Sequence, residues 1–273
     1  MRHLKAGLAS AALAVAAAAC MATPAAADGM PRYGSIKDPP MLMPMQSSVG
    51  PCYFRADVGY SWSQSPDVRW PVTDPGTGAF VTDSVTNVSM ENTWLGEAGI
   101  GCGSGSHGLR GEFVLGYRGE RKIDGEPGPW NPTGPPPPDP LHTAITTYTA
   151  MVNVYYDLGR FRNFVPYVGA GIGAVYHMMD EVYFTQNPAL TNRIHGNNDL
   201  AFTWALMAGV GYQLTDRAVL DFGYRYIDLG KATSERSDPA FFVNPRVVVR
   251  DMDAHEFKIG LRYHFGGGDC CAP

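Results

Sequence analysis

From 255 to 265 the chain reads His-Glu-Phe-Lys-Ile-Gly-Leu-Arg-Tyr-His-Phe. Phe257, Ile259, Leu261, Tyr263 and Phe265 are apolar, and Glu256, Lys258, Gly260, Arg262 and His264 between them are charged, polar or small. A period of two predicts a β-strand with one apolar and one polar face. The same alternation recurs over 53–62, 92–103, 109–118, 146–158, 167–178, 202–214 and 218–227, which makes eight strands in all.

Alternation alone fits a soluble sandwich, whose apolar face meets a second sheet, or a transmembrane barrel, whose apolar face meets lipid. Two features favour the barrel. The strands are ten to thirteen residues long, close to the roughly 9–11 that a tilted strand needs to cross a bilayer. The connections alternate strictly between long stretches (63–90, 119–145, 179–201, 228–254) and short ones (104–108, 159–166, 215–217). Short turns at one end and long loops at the other belong to a membrane barrel, with turns on the periplasmic side and loops outside the cell. The prediction is an all-β, eight-stranded, antiparallel, up-and-down transmembrane barrel over 52–265.

The outward aromatics sharpen it. Trp62, Trp94, Tyr117, Tyr148, Tyr176, Trp204 and Tyr226 fall near the long-loop ends, and Phe54, Tyr156, Tyr212, Tyr263 and Phe265 near the short-turn ends. Amphipathic rings gather in this way at the two interfaces of a membrane.

Targeting agrees. Residues 1–27 begin with Arg2 and Lys5, run through an Ala-rich apolar stretch and end in Ala25-Ala26-Ala27, the layout of a secretory signal peptide. A mature start near Asp28 is expected. Cys20 after Ala18-Ala19 suggests a lipoprotein site, but Ala17 stands where a branched apolar residue is preferred. Residues 28–51, with Pro39-Pro40 and a Met-Leu-Met-Pro-Met run, read as a flexible N-terminal segment. Residues 266–273 form a C-terminal tail that carries Cys270 and Cys271. After the signal no apolar run is long enough for a transmembrane helix, and the mean hydropathy of −0.15 suits a barrel whose alternation averages out. A net charge of −5 with no basic block argues against nucleic acid as a partner.

The segments Tyr53-Phe-Arg-Ala-Asp-Val-Gly-Tyr-Ser-Trp, Asn153-Val-Tyr-Tyr-Asp-Leu-Gly, Pro166-Tyr-Val-Gly-Ala-Gly-Ile-Gly, Ala208-Gly-Val-Gly-Tyr and Leu220-Asp-Phe-Gly-Tyr-Arg-Tyr, with the strand ending at Phe265, occur in an order that resembles the small opacity-type outer-membrane barrels of Gram-negative bacteria. The resemblance implies the cell outer membrane as location, with its lipid and lipopolysaccharide as surroundings. It also implies the assembly machinery as a partner that reads Tyr263 and Phe265 on the terminal strand. Here Phe265 is followed by eight residues, whereas such proteins commonly end at the aromatic.

Parity sends Arg55, Arg110, Arg118, Arg225, Lys258 and Arg262 into the lumen with Asp57, Glu97, Glu112, Asp157, Asp221 and Glu256. Six cations against six carboxylates predict a cross-linked plug, because an eight-stranded barrel has room for little more than side chains. Gly169, Gly171 and Gly173 read as space for lumen side chains from across the barrel. Cys52 and Cys102 share the outward parity at the short-turn ends of consecutive strands and are expected to form a disulfide. Gly103-Ser-Gly-Ser-His-Gly108 has the spacing of a dinucleotide fingerprint, but a strand follows it where a helix is required, so it reads as a turn. The seven His residues form no metal motif, and no cofactor is expected.

The leading function is structural and surface-interacting: an outer-membrane anchor that presents four loops outside the cell. The loops carry Trp70, a Pro-rich run and Phe241-Phe242, which could meet an extracellular ligand. A narrow porin-like channel for small solutes is the alternative. A lipid-modifying barrel hydrolase ranks below both, and no enzyme activity is expected.

Overall fold

The computed structural model describes residues 50–73, 80–103, 107–127, 140–184, 194–235 and 246–265, with the side chains of 70–73, 80–84, 127 and 184 left out. The expected signal peptide 1–27, almost all of the segment 28–51, the tail 266–273 with Cys270 and Cys271, the Pro-rich run, Phe241-Phe242 and the Trp70 side chain lie outside the described residues.

Among the described residues thirteen strands follow one another: β1 (Cys52–Ser63), β2 (Asp67–Thr73), β3 (Phe80–Met90), β4 (Thr93–Gly103), β5 (Gly108–Pro127), β6 (Leu141–Asp157), β7 (Phe164–Met179), β8 (Tyr183–Phe184), β9 (Asn198–Gln213), β10 (Ala218–Asp228), β11 (Ala232–Thr233), β12 (Val248–Arg250) and β13 (Asp253–Phe265). Eight close the barrel in the order β1-β4-β5-β6-β7-β9-β10-β13 and back to β1, every neighbour antiparallel. These are the eight strands that alternation predicts.

The registers fix the shape. A path across paired residues from His264 through Tyr53, Gly101, Glu112, Asn153, Gly171, Ala205 and Ile227 returns to β13 at Ala254, ten residues from its start. With a rise of ~3.3 Å per residue and ~4.8 Å between strands, that stagger tilts the strands by about 40°. Eight residues separate Phe54 from Trp62, Tyr156 from Tyr148 and Tyr212 from Trp204, so the two girdles stand about 20 Å apart along the axis. Between them the wall presents Val58, Leu115, Val152, Ile172, Leu206 and Ile259, all exposed. Water offers no reason to expose such a belt, whereas lipid does.

The long connections depart from the expectation that they are irregular. β2 and β3 pair as a hairpin, β12 joins β2, β11 joins β12, and β3 and β8 pair with the outer parts of β5 and β6. β5 runs nine residues past Arg118, and β6 starts five residues before Thr146. The cause in β5 is a bulge: Arg118 pairs with Thr147 and Arg121 with Ile145, so three steps on β5 face two on β6. The extra residue breaks the alternation in the sequence while both ladders continue. Asn87, with φ 51°, sits at a second shift, where β3 leaves register with β5, a backbone that Asn tolerates better than most residues.

The extended wall is apolar inside. Ile123, Leu141, Ile145, Val175, Met179, Ile227 and Ala254 meet Val68, Val85, Leu229, Val247, Val249 and Met252 from the connecting segments in one buried cluster. This lid closes the long-loop end.

Candidate functional site: the barrel lumen

Below the lid the inward positions are charged. All twelve predicted lumen residues point inward and are buried. They divide into two tiers. Toward the short-turn end, Arg55 donates to both carboxylate oxygens of Asp57 at 2.7 and 2.6 Å and also pairs with Glu112. Arg110 reaches Glu112 at 2.6 Å and Asp157 at 2.9 Å, and Tyr53 Oη donates to Glu112 Oε1 at 2.6 Å. Arg262 grips Asp221 through Nε and through Nη2, the latter at 2.9 Å. The Arg110 guanidinium lies over the Tyr155 ring at 4.1 Å and the Tyr167 ring at 4.6 Å, contacts worth about 0.5–2 kcal/mol each.

In the second tier Glu97 accepts from Arg225 at 2.5 Å and Lys258 at 2.7 Å, with Arg118 at 3.7 Å. Glu256 accepts from Arg118 and from Arg225, each at 2.6 Å. Carboxylates shared among three strands tie opposite walls together across the lumen. Small residues make this possible. A Cβ on Gly260 would strike the Asp57 carboxylate, and one on Gly211 would sit 2.7 Å from Arg262 Nη2. Gly169, Gly171 and Gly173 serve differently from the expectation: the atoms nearest the space beside them belong to the two adjacent strands, Tyr155, Asn153 and the Ala150–Met151 backbone on β6 and Met207 on β9.

The expected balance of six and six misses one cation. Arg121 also points inward and is 1% exposed. Parity counted from Arg118 sends it outward, and only the bulge brings it in. His177, which bonds Thr147 and the Leu229 carbonyl, continues the inward parity of Gly169, Gly171 and Gly173 within the predicted strand but is absent from the expected lumen set, and the lid is not visible in the sequence because most of its residues lie in stretches that read as connections.

Outside the lumen, Cys52 and Cys102 are paired residues of β1 and β4, with Sγ atoms 2.17 Å and Cα atoms 4.0 Å apart. Tyr263 and Phe265 face outward at the short-turn end, where Phe265 stacks on Phe54 at 4.4 Å. In the upper girdle Trp204 Nε1 donates to Asp228 at 3.0 Å, and Tyr224 Oη lies 2.7 Å from His255 Nδ1. These pairings anchor polar tips at a lipid–water boundary. His255 also meets Gln64, and His264 the Gly50 carbonyl, so neither bonds a serine of a hydrolytic pair. Among the described residues no group of His, Cys, Asp and Glu could hold a metal.

A closed barrel of eight strands with lipid-facing aromatics and a charged lumen has a recognisable sequence profile. Residues 11–265 match the family model described as outer membrane protein beta-barrel domain. The chain belongs to this family of outer-membrane barrels. A protein of Brucella abortus (strain 2308), described only as uncharacterized, is 29% identical over 259 residues, covering 83% of this chain and 89% of its own. Outer membrane protein PagN of Salmonella typhimurium is 30% identical over 141 residues, 46% of this chain and 55% of PagN. Opacity protein V28 of Neisseria gonorrhoeae is 27% identical over 134 residues, 42% of this chain and 50% of its own. OprG, an outer membrane protein of Pseudomonas aeruginosa, shares the fold with a TM-score of 0.51 at 18% identity, over 80% of this chain and 97% of OprG.

Membership places this barrel in the outer membrane. Its short turns are therefore periplasmic, and its lid and long connections stand outside the cell.

Proposed function

We propose that this outer-membrane barrel is a closed anchor whose role is carried by the surface it holds outside the cell, and that it is not an enzyme. The observation that carries the proposal is the double closure of the lumen: buried ion pairs fill the membrane span, and an apolar lid covers them. Paired charges capped by apolar side chains make a poor path for a hydrated solute. The extended β5 and β6 and the paired β2, β3, β11 and β12 give the outer connections a stiff base, which suits presentation of a binding surface. Lipopolysaccharide would surround the upper girdle, and an extracellular ligand would meet the loop tips.

Replacing 128–139 and 236–245 by Gly-Ser linkers in cells that display the protein tests this. Cell adhesion to surfaces and to extracellular macromolecules should fall to the level of cells lacking the protein, while the barrel still shifts its gel mobility on boiling. Unchanged adhesion would remove the surface role.

A further inference from the structure

Among the described residues the lumen carries seven buried cations, Arg55, Arg110, Arg118, Arg121, Arg225, Lys258 and Arg262, against six buried carboxylates, Asp57, Glu97, Glu112, Asp157, Asp221 and Glu256. The surplus is local. Among the described residues each of the other six cations has a carboxylate within ion-pair distance, and Arg121 has none. Arg121 Nη1 donates to Ser63 Oγ at 3.3 Å and Nη2 to Thr147 Oγ1 at 2.9 Å, both neutral hydroxyls, and its Nε has no partner. Ser61 Oγ, fully buried on the same strand as Ser63 and two residues before it, has no partner either.

Ser61 and Ser63 share one face of β1, so the unpaired hydroxyl lies two residues along the strand from the one that Arg121 holds. Ser61 pairs across the β1–β4 ladder with Thr93, and Thr93 Oγ1 takes the space beside Gly119, two residues before Arg121 in the bulge. These groups lie under the apolar lid, where hydration cannot offset a lone charge. A guanidinium N–H can only donate and a hydroxyl can donate as well, so one acceptor serves both. One surplus positive charge calls for one negative charge, and a divalent oxyanion would over-neutralise it.

We infer that the lumen binds one small monovalent anion, chloride or an ion of its size, at Arg121 Nε and Ser61 Oγ beneath the outer lid. The ion supplies the charged partner that Arg121 lacks among the described side chains. The bulge in β5 is the device that creates the site, because it turns Arg121 into the lumen without turning a carboxylate in with it.

The test is thermal unfolding of the barrel refolded in non-ionic micelles in chloride, bromide or gluconate at one ionic strength and pH. The unmodified protein should melt several degrees higher in chloride and bromide than in gluconate. Arg121→Gln should abolish that difference while retaining the heat-sensitive gel mobility of a folded barrel, and Arg160→Gln, at an exposed position in a periplasmic turn, should keep it. Equal melting in all three salts, or an undiminished halide effect in Arg121→Gln, would overturn the site. Anomalous scattering from crystals of the unmodified protein grown in bromide provides a reading that needs no variant: a peak beside Arg121 Nε supports the site, and its absence from that position refutes it.

Discussion

Arg225 lies between Glu97 and Glu256 and is fully buried, so its removal leaves two carboxylates short of a partner at once. Arg225→Ala should destabilise the refolded barrel by about 3–5 kcal/mol in urea unfolding followed by Trp fluorescence. Because Glu97 also holds Lys258 and Arg118, the double variant Arg225→Ala with Glu97→Gln should lose less than the two single losses together. Strict additivity would mean that the network does not act as a unit. Cys52 and Cys102 close a loop with a sequence separation of 50, and a link across it should stabilise the barrel by about 2–4 kcal/mol relative to Cys52→Ser. Peptide mapping without reductant should recover the linked pair, and alkylation of both thiols in the native protein would rule it out. At this scale the lumen was mostly legible in the sequence, since each inward charge alternates with an outward apolar residue on an uninterrupted ladder. Arg121 was not, because Arg118-Gly-Glu-Arg-Lys carries no alternation, and only strand pairing shows which of its residues is the extra one.

The elements follow the same division. Strands inside the lipid belt announce themselves because their two faces meet lipid and a polar lumen, which demand opposite chemistry. Above the upper girdle the solvents exchange places: the outside meets water and the inside is the apolar lid, so Lys122 and Asp124 point out where Ile123 points in. On β6 the inward positions stay odd-numbered while their chemistry changes from polar to apolar, and on β5 the bulge interrupts the pattern at Arg118-Gly-Glu-Arg-Lys, so the outer parts of both strands read as loop. The bulge has a testable consequence. Deleting Glu120 removes the extra residue while leaving both Arg118 and Arg121 on the inward side, so that variant should still fold into a heat-modifiable barrel. Deleting Leu115, in a regular part of the same strand, forces a run of inward side chains into lipid and should abolish the folded band. Equal tolerance of the two deletions would show that register in β5 is not set by side-chain facing.

For the whole molecule, eight strands with a stagger of ten enclose a lumen that side chains can fill, and here they fill it twice, with ion pairs through the membrane and apolar residues above it. Barrels that conduct freely have about 16–18 strands and leave a water column. The sequence conveyed the barrel, its orientation and the charged plug. The lid escaped it, because residues such as Val68, Leu229, Val247 and Met252 lie in connections and become a core only when the hairpin and the short outer strands fold over the barrel mouth. A scaffold closed at two levels should move loops, and not solutes, into contact with the outside. Single-channel recording of the purified protein in planar bilayers tests that claim most directly. The expected trace is flat or shows only brief, small events, and remains so when Arg225 is replaced by Ala, because the lid still stands above the weakened plug. A large, stable, voltage-independent conductance from the unmodified protein would contradict the closed-anchor account and establish the barrel as a channel.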